Sequence, residues 1–427
     1  MSDAAAALPE TSDPRVTDPK LRVAAARRIT ASLFFSQSLG SAGTIAAATV
    51  AAIVGEQMMG RTTLAGITAA VSQVGVALGS LYWSRRSDVL GRRPALSLAL
   101  LVGAAGGVMA SVGVAYGMAV VVLLGLALSG SGTAALQLGR FVAAEVNVKA
   151  IRARAISLVV LGGTAGSVLG PALVGPTGRW AISRGFDETA GPYLVTALGY
   201  LLVAGVFTLT LRPEPLRIAE AIAAEDKQEK RGSSATSIRE LLRRPAVRTA
   251  IFSVVTAHMV MIGLMQMTSL HMHHNHHPLT AIGLVFSGHT LGMFGFSFVT
   301  GWLTDRWGRR PMLGIGAVLV IAACLTAPLS PQVFPIAAAL FLLGLGWNFC
   351  YVAGSALLSD ALEPHERGKI QGFNDLLVGG AAATAAMLGS WLLGSVGYGV
   401  MGMLGAALCL PLLYVVATLG KNLNQAR

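Results

Sequence analysis

Two short segments of this 427-residue sequence place soft donor atoms at helical spacing. His258, Met261, Met265 and Met272 are separated by three, four and seven residues, which puts them on one face of a helix. His289 and Met293, four apart, share a face of the next helix. Between them runs His271-Met272-His273-His274-Asn275-His276-His277. At a rise of about 1.5 Å per residue, Met261 and His289 lie at similar depth, on the order of 14 Å below that connecting run. Thioether sulfur is soft and uncharged, and together with imidazole it suits Cu(I) better than zinc, magnesium or manganese. Two thioethers and one or two imidazoles could hold a monovalent ion without a buried carboxylate. The plainer alternative is packing: methionine fills irregular gaps between helices, and a histidine among apolar neighbours can simply bond the next helix. Trp347, Asn348, Cys350 and Tyr351 carry the same two alternatives. Each either packs or faces a cavity, where Asn348 would hydrogen-bond a solute and Cys350 could offer a thiolate.

The elements that must position these residues are membrane spans. Hydrophobic residues make up 54% of the chain and charged residues 12%, about half the charged share of a soluble domain. Apolar runs fall at 29–54, 62–84, 94–115, 117–143, 155–178 and 191–211, and again at 249–270, 279–303, 311–329, 333–359, 370–394 and 399–420. Each is near the roughly 20 residues a spanning helix needs. The pattern predicts an all-α membrane protein with twelve transmembrane helices. Its parts are a tail at 1–28, a six-helix bundle at 29–211, a charged, partly helical linker at 212–248, a second bundle at 249–420 and a tail at 421–427. With the N-terminus inside, all basic residues but Arg61, Arg179 and Arg184 fall on the cytoplasmic side, as the positive-inside rule requires. The net charge of +12 is then topology and not a nucleic-acid surface. Cys324, Cys350 and Cys409 sit in apolar runs with no paired spacing for a disulfide or zinc framework.

The two bundles repeat one another. Ser84-Arg85-Arg86-Ser87-Asp88-Val89-Leu90-Gly91-Arg92-Arg93-Pro94 lies between the second and third spans, and Gly301-Trp302-Leu303-Thr304-Asp305-Arg306-Trp307-Gly308-Arg309-Arg310-Pro311 between the eighth and ninth. At nearly the same offset, Glu145 with Arg152 and Arg154 is echoed by Asp360 with Arg367 and Lys369. Both copies sit on one side, so the repeats are parallel. The second copy matches the signature G-x-L-x-D-R-x-G-R-R, and the sequence thereby resembles the major facilitator superfamily. The first copy departs from it at Ser84 and Val89. The resemblance implies that Asp88, Arg92 and Arg93, with Asp305, Arg306, Arg309 and Arg310, form the inner gate. It also implies that Asp88 meets a helix end of the other half beginning near Asn374. Gly166-x-x-x-Gly170-Pro171 in the fifth span resembles the antiporter motif, and its small residues equally suit close helix packing.

The resemblance narrows further. M-x-x-x-M in the seventh span followed by H-x-x-x-M in the eighth is similar to the CcoA-type copper importers of that superfamily. Arg140-Phe141, Arg154-Ala155-Ile156-Ser157-Leu158, Gly346-Trp347-Asn348-Phe349 and Gln371-Gly372-Phe373-Asn374-Asp375 resemble the wider group that includes riboflavin permeases. On this resemblance copper is the transported substrate. Met261, Met265, His289 and Met293 are then its ligands, His258 is an auxiliary one, and the histidine run is a collecting mouth. No acidic residue falls in mid-span, and Gly125 to Gly132 holds no charge, so the pathway is expected to be nearly uncharged. The alternative is a carrier of an organic solute, either a riboflavin-like nutrient or an exported drug. A non-transporting membrane sensor is the third class. No nucleotide loop, hydrolase spacing or nucleophile elbow is present, which argues against an enzyme and for gradient-driven transport. The expected setting is a monomer in the inner membrane, with no bound cofactor.

Overall fold

Hydrocarbon offers no hydrogen-bond partners, so an apolar run that crosses it must satisfy its own backbone and folds as a helix. The computed structural model of the chain describes residues 13–148, 151–226, 237–362 and 364–423. Eleven helices among these residues are long and apolar enough to cross a membrane. Spans one to six are Pro19–Met59, Thr62–Leu90, Arg92–Ala115, Ala119–Glu145, Arg154–Ala172 and Glu188–Thr210. Spans seven to ten are Pro245–His274, Leu279–Trp307, Arg309–Leu329 and Val333–Asp360. The last helix, Ile370–Ala417, is interrupted at Gly397, whose φ of 80° and ψ of 171° are not helical. That residue divides it into spans eleven and twelve, and the expected twelve-helix, all-α fold is the one observed.

Several boundaries differ from the apolar runs. Span one starts at Pro19, capped by the Asp18 side chain, so ten residues expected as tail are helical, and Arg22, Ala25 and Ala26 are buried. The linker holds a helix at Pro215–Asp226 and a short one at Ile238–Leu241. Lys227 of its Glu225-Asp226-Lys227 cluster lies outside the described residues, as do the tail ends at 1–12 and 424–427. Span five breaks at Leu173, two residues after Pro171, and continues as Val174–Ser183. Proline removes a backbone donor and crowds the preceding turn, so a break there is expected. Span eight also breaks, between Leu279–Phe294 and Ser297–Trp307.

The internal repeat is visible in the backbone. Gly91 (φ 93°, ψ 158°) and Gly308 (φ 89°, ψ 164°) adopt the same conformation, open to glycine and strained for other residues. Each precedes an arginine that starts the next span. In the first copy Arg92 bonds Asp88 at 2.8 Å and Glu145 at 2.9 Å. In the second, Arg309 bonds Asp305 at 3.2 Å and Asp360 at 2.9 Å. One device is therefore built twice, on what is called here the signature side. The opposite end carries residues 271–277 and is called the histidine side.

The halves meet along spans one and seven, two and eleven, and five and eight. Toward the histidine side these contacts are backbone-close. A Cβ on Gly66 would collide with the Ala386 carbonyl, and one on Gly283 with the Pro171 carbonyl. Within the first half, a Cβ on Gly166 would collide with the Ser38 carbonyl and one on Gly170 with that of Ala42. The small residues at 166 and 170 thus let span five lie directly on span one.

Candidate functional site

The signature loops carry the residues expected to form the inner gate. Asp88 pairs with Arg92, and its side chain is otherwise 65% exposed. Asp305 pairs with Arg309 and is 77% exposed. The expected contact between Asp88 and a helix end near Asn374 is corrected by the structure. The helix there begins at Pro364 and runs straight through Asn374, so no free backbone amides are available at that position to receive a carboxylate. The Arg93 backbone amide donates to Glu214 at 3.1 Å, which ties the loop to the linker. Arg310 donates to the carbonyls of Val416 (2.7 Å) and Ala417 (2.6 Å) at the end of span twelve. The Arg306 guanidinium lies over the Trp302 ring.

The candidate ligands of spans seven and eight both turn toward span ten. His258 accepts a hydrogen bond at Nδ1 from the Trp347 indole, 3.1 Å away. His289 uses Nδ1 on the Leu340 carbonyl at 2.7 Å. Its Nε2 is buried without a hydrogen-bond partner. In the neutral ring the nitrogen that faces a carbonyl must carry the proton, so Nε2 is left as the free lone pair. Met261, Met265 and Met293 are all buried in the same apolar cluster as Trp347 and Phe286. Asn348 is committed to the break in span eight: Nδ2 donates to the Met293 carbonyl at 2.6 Å and contacts Ser297 Oγ at 2.7 Å. A broken helix leaves carbonyls without their usual partner, and Asn348 serves one of them. Cys350 packs against Gly316 with its sulfur toward Leu313 on span nine. It therefore turns away from the other candidate donors, and the thiolate expectation falls with it.

Span ten also organises a feature that spacing did not reveal. Trp347 and Tyr351, one helical turn apart, stack with ring centres 4.7 Å apart and planes 16° from parallel. Phe294 meets Trp347 edge-on at 5.9 Å. Tyr351 in turn lies within electrostatic reach of Arg140 and Asp375. Those two form an ion pair at 2.6 Å that joins span four of one half to span eleven of the other. Gln371 donates to the second oxygen of Asp375 at 3.0 Å. Two stacked rings thus connect His258 to Tyr351, which interacts electrostatically with an inter-half ion pair. His258 and Tyr351 remain partly accessible although they lie well inside their spans. The ion pair puts charge between the halves near the ends of spans four and eleven, a juxtaposition the sequence reading did not foresee. The sequence signal was the QGFND stretch, where counting by span ends set Asp375 aside.

The histidine side is held by a different set of contacts. His274 Nε2 lies 2.7 Å from Glu56, joining span seven to span one, and the Thr62 hydroxyl bonds the other carboxylate oxygen. His271 stacks on Tyr398 at 4.2 Å. His277 bonds the Pro331 carbonyl at 2.7 Å. A cavity of about 570 Å³ lies between Glu56, Glu188, His273, His274, His276 and His277. Among the described residues, no group of three or more His, Cys, Asp or Glu side chains is placed to hold a metal ion.

The model of the Major Facilitator Superfamily matches residues 31–280 and 260–425. An uncharacterized MFS-type transporter of Bacillus subtilis (strain 168), YdeG, is 33% identical over 405 residues, 94% of each chain. The riboflavin transporter RfnT of Brucella anthropi is 30% identical over 375 residues, covering 88% of this chain and 91% of that one. Among solved structures, an inward-facing, unoccupied bacterial homologue of the human lysosomal transporter Spinster superimposes with a TM-score of 0.66 at 15% identity. It covers 92% of this chain and 94% of that one, and shares the fold. Duplicated signature loops, twelve spans in two parallel sixes and full-length relatives lead to one statement: this chain belongs to the major facilitator superfamily and is a multi-pass membrane transporter of a small solute, not an enzyme.

Proposed function

We propose that the chain carries an organic solute with a flat ring system, of riboflavin-like character, through a site between the halves. The single observation that carries this reading is the Trp347–Tyr351 stack, flanked by Phe294 and His258. Stacked aromatic faces favour flat partners in offset or edge-on contact, each such pair contributing about 0.5–1.5 kcal/mol beyond area burial. The partly accessible Tyr351 and the nearby polar groups supply orientation, in keeping with the mixed apolar and polar lining of small-molecule sites. The likeness to RfnT over most of the chain supports the same class. In this reading the bundles at 29–211 and 249–420 rock about the site, tethered by 212–248. The signature side is cytoplasmic, in accord with the distribution of lysine and arginine. The chain acts as a monomer in the inner membrane, driven by an ion or solute gradient. In the state described here the halves touch on the histidine side.

Radiolabelled riboflavin uptake into proteoliposomes tests this. Wild-type protein is expected to catalyse flux above protein-free vesicles, and Trp347→Ala to lower it on the order of ten-fold, the equivalent of one stacking contact. No flux above background would remove the riboflavin-like assignment.

A second reading, copper import, has one observation in its favour. His289 Nε2 is buried and unpartnered, on the helix face that also carries Met293. With no carboxylate–imidazole cluster among the described residues, a copper site would rest on Met261, Met265, Met293 and His289, fed by the histidine run. Cellular copper uptake in a Met261→Leu, His289→Leu double variant decides it, since unchanged uptake removes the ligand assignment.

A further inference from the structure

We propose that Arg140 is a docking group for an acidic substituent on the carried solute, a carboxylate or a phosphate, and that docking releases Asp375 and so unties the halves. The proposal deepens the flat-ring reading above and rests on it for the position of the ring. A guanidinium presents Nε and Nη2 as two parallel donors, spaced for both oxygens of one acid. Asp375 fills only half of that fork. Its Oδ2 takes Nη2 at 2.6 Å, while Oδ1 turns away to Gln371 Nε2 at 3.0 Å. Arg140 Nε is left buried with no hydrogen-bond partner. A buried donor without an acceptor is costly, so the guanidinium is under-satisfied in this state.

The surroundings favour exchange over a permanent tie. The Arg140 and Asp375 side chains are 28% and 35% accessible, open enough for an incoming group to compete. The Phe141 ring supports the guanidinium at 4.9 Å. Tyr351 interacts electrostatically with both charges and is itself the end of the aromatic stack. A ring seated against Tyr351, whose other face is stacked on the buried Trp347, therefore directs a short substituent toward Arg140. Arg140 Nε is buried, so an acid takes both Nε and Nη2 only as the guanidinium swings off Asp375, and the inter-half contact at this end is then lost. Solute recognition and gate release are then a single exchange of carboxylate partners.

The test uses full-length protein in lipid nanodiscs with riboflavin and its 5′-phosphate ester, two probes with the same ring. Flavin fluorescence quenching reads binding. The phosphate ester is expected to bind about ten-fold or more tightly than riboflavin, as a charge-assisted bidentate contact would give. Arg140→Gln brings the ester-to-riboflavin ratio near one, whatever it does to riboflavin alone, and Asp375→Asn, lacking the competitor, tightens the ester further. A second readout needs no flavin: spin labels at Arg154→Cys and Trp307→Cys, exposed positions on the signature side of opposite halves. Inorganic phosphate is expected to widen that distance in otherwise unaltered protein and to add nothing in Arg140→Gln. If neither flavin binds while phosphate acts through Arg140, the ring assignment fails and the docking role stands. Equal binding of the two flavins overturns the proposal. So does a preference that survives Arg140→Gln, or the absence of both flavin binding and any Arg140-dependent phosphate effect.

Discussion

At the scale of single residues, the contrast between His289 and Asn348 is instructive. His289 gives one ring nitrogen to a carbonyl of span ten and leaves the other buried and free. Asn348 gives its amide to the broken turn of span eight. Both were legible as polar residues in apolar runs. Their partners were not, because helical spacing fixes which residues share a face and says nothing about which helix that face meets. Removal therefore has different expected consequences. Asn348→Leu leaves the Met293 carbonyl and Ser297 hydroxyl without their partner, and is expected to cost about 1–3 kcal/mol of stability. His289→Leu removes one bond and one orphan acceptor together, and is expected to change stability by under about 1 kcal/mol. Thermal unfolding of the purified variants, ranked against each other, checks the order; a larger loss at His289 would contradict it. Arg140 and Asp375 were invisible as a pair for a related reason. Each lies near an end of its own span, and only the packing of two halves brings them together.

At the scale of elements, apolar runs located every span, since a stretch of about 20 apolar residues has no stable alternative to a helix in hydrocarbon. The breaks were harder to read. Pro171 announced one, and the helix does stop two residues later. Nothing comparable announced the break in span eight, where Gly295 and Phe296 lie between the two segments. Glycine in a helix is a permission and not an instruction, and tertiary contacts decide whether it is used. The Gly166 and Gly170 pair shows the other use. Its contact with the Ser38 and Ala42 carbonyls makes it a packing seam between spans one and five. Gly166→Ala is expected to force those spans apart at about 1–3 kcal/mol. Gly380→Ala, at a position with open space around it, is expected to stay within about 0.5 kcal/mol of the parent protein. Equal unfolding temperatures for the two variants would remove the seam from the account.

At the scale of the whole molecule, duplication was legible from two loops, and the structure repeats it down to the backbone angles of Gly91 and Gly308 and the carboxylate pairs of Arg92 and Arg309. Local sequence could not tell which face of the molecule is shut, because that depends on contacts between halves. Here the halves are joined by close backbone contacts and the His274–Glu56 bond on the histidine side, and by the Arg140–Asp375 pair toward the signature side. This asymmetry is what a rocking carrier must reverse during its cycle. The most direct measurement is a pair of spin-label distances in one membrane preparation. One pair sits at Arg61→Cys and Val396→Cys on the histidine side, both exposed positions. The other is the Arg154→Cys and Trp307→Cys pair on the signature side. The three native cysteines are buried and shielded from the label. As conditions shift the conformational balance, the histidine-side distance is predicted to lengthen whenever the signature-side distance shortens. Distances that move together, or that stay fixed while solute is carried, would contradict alternating access between these two halves.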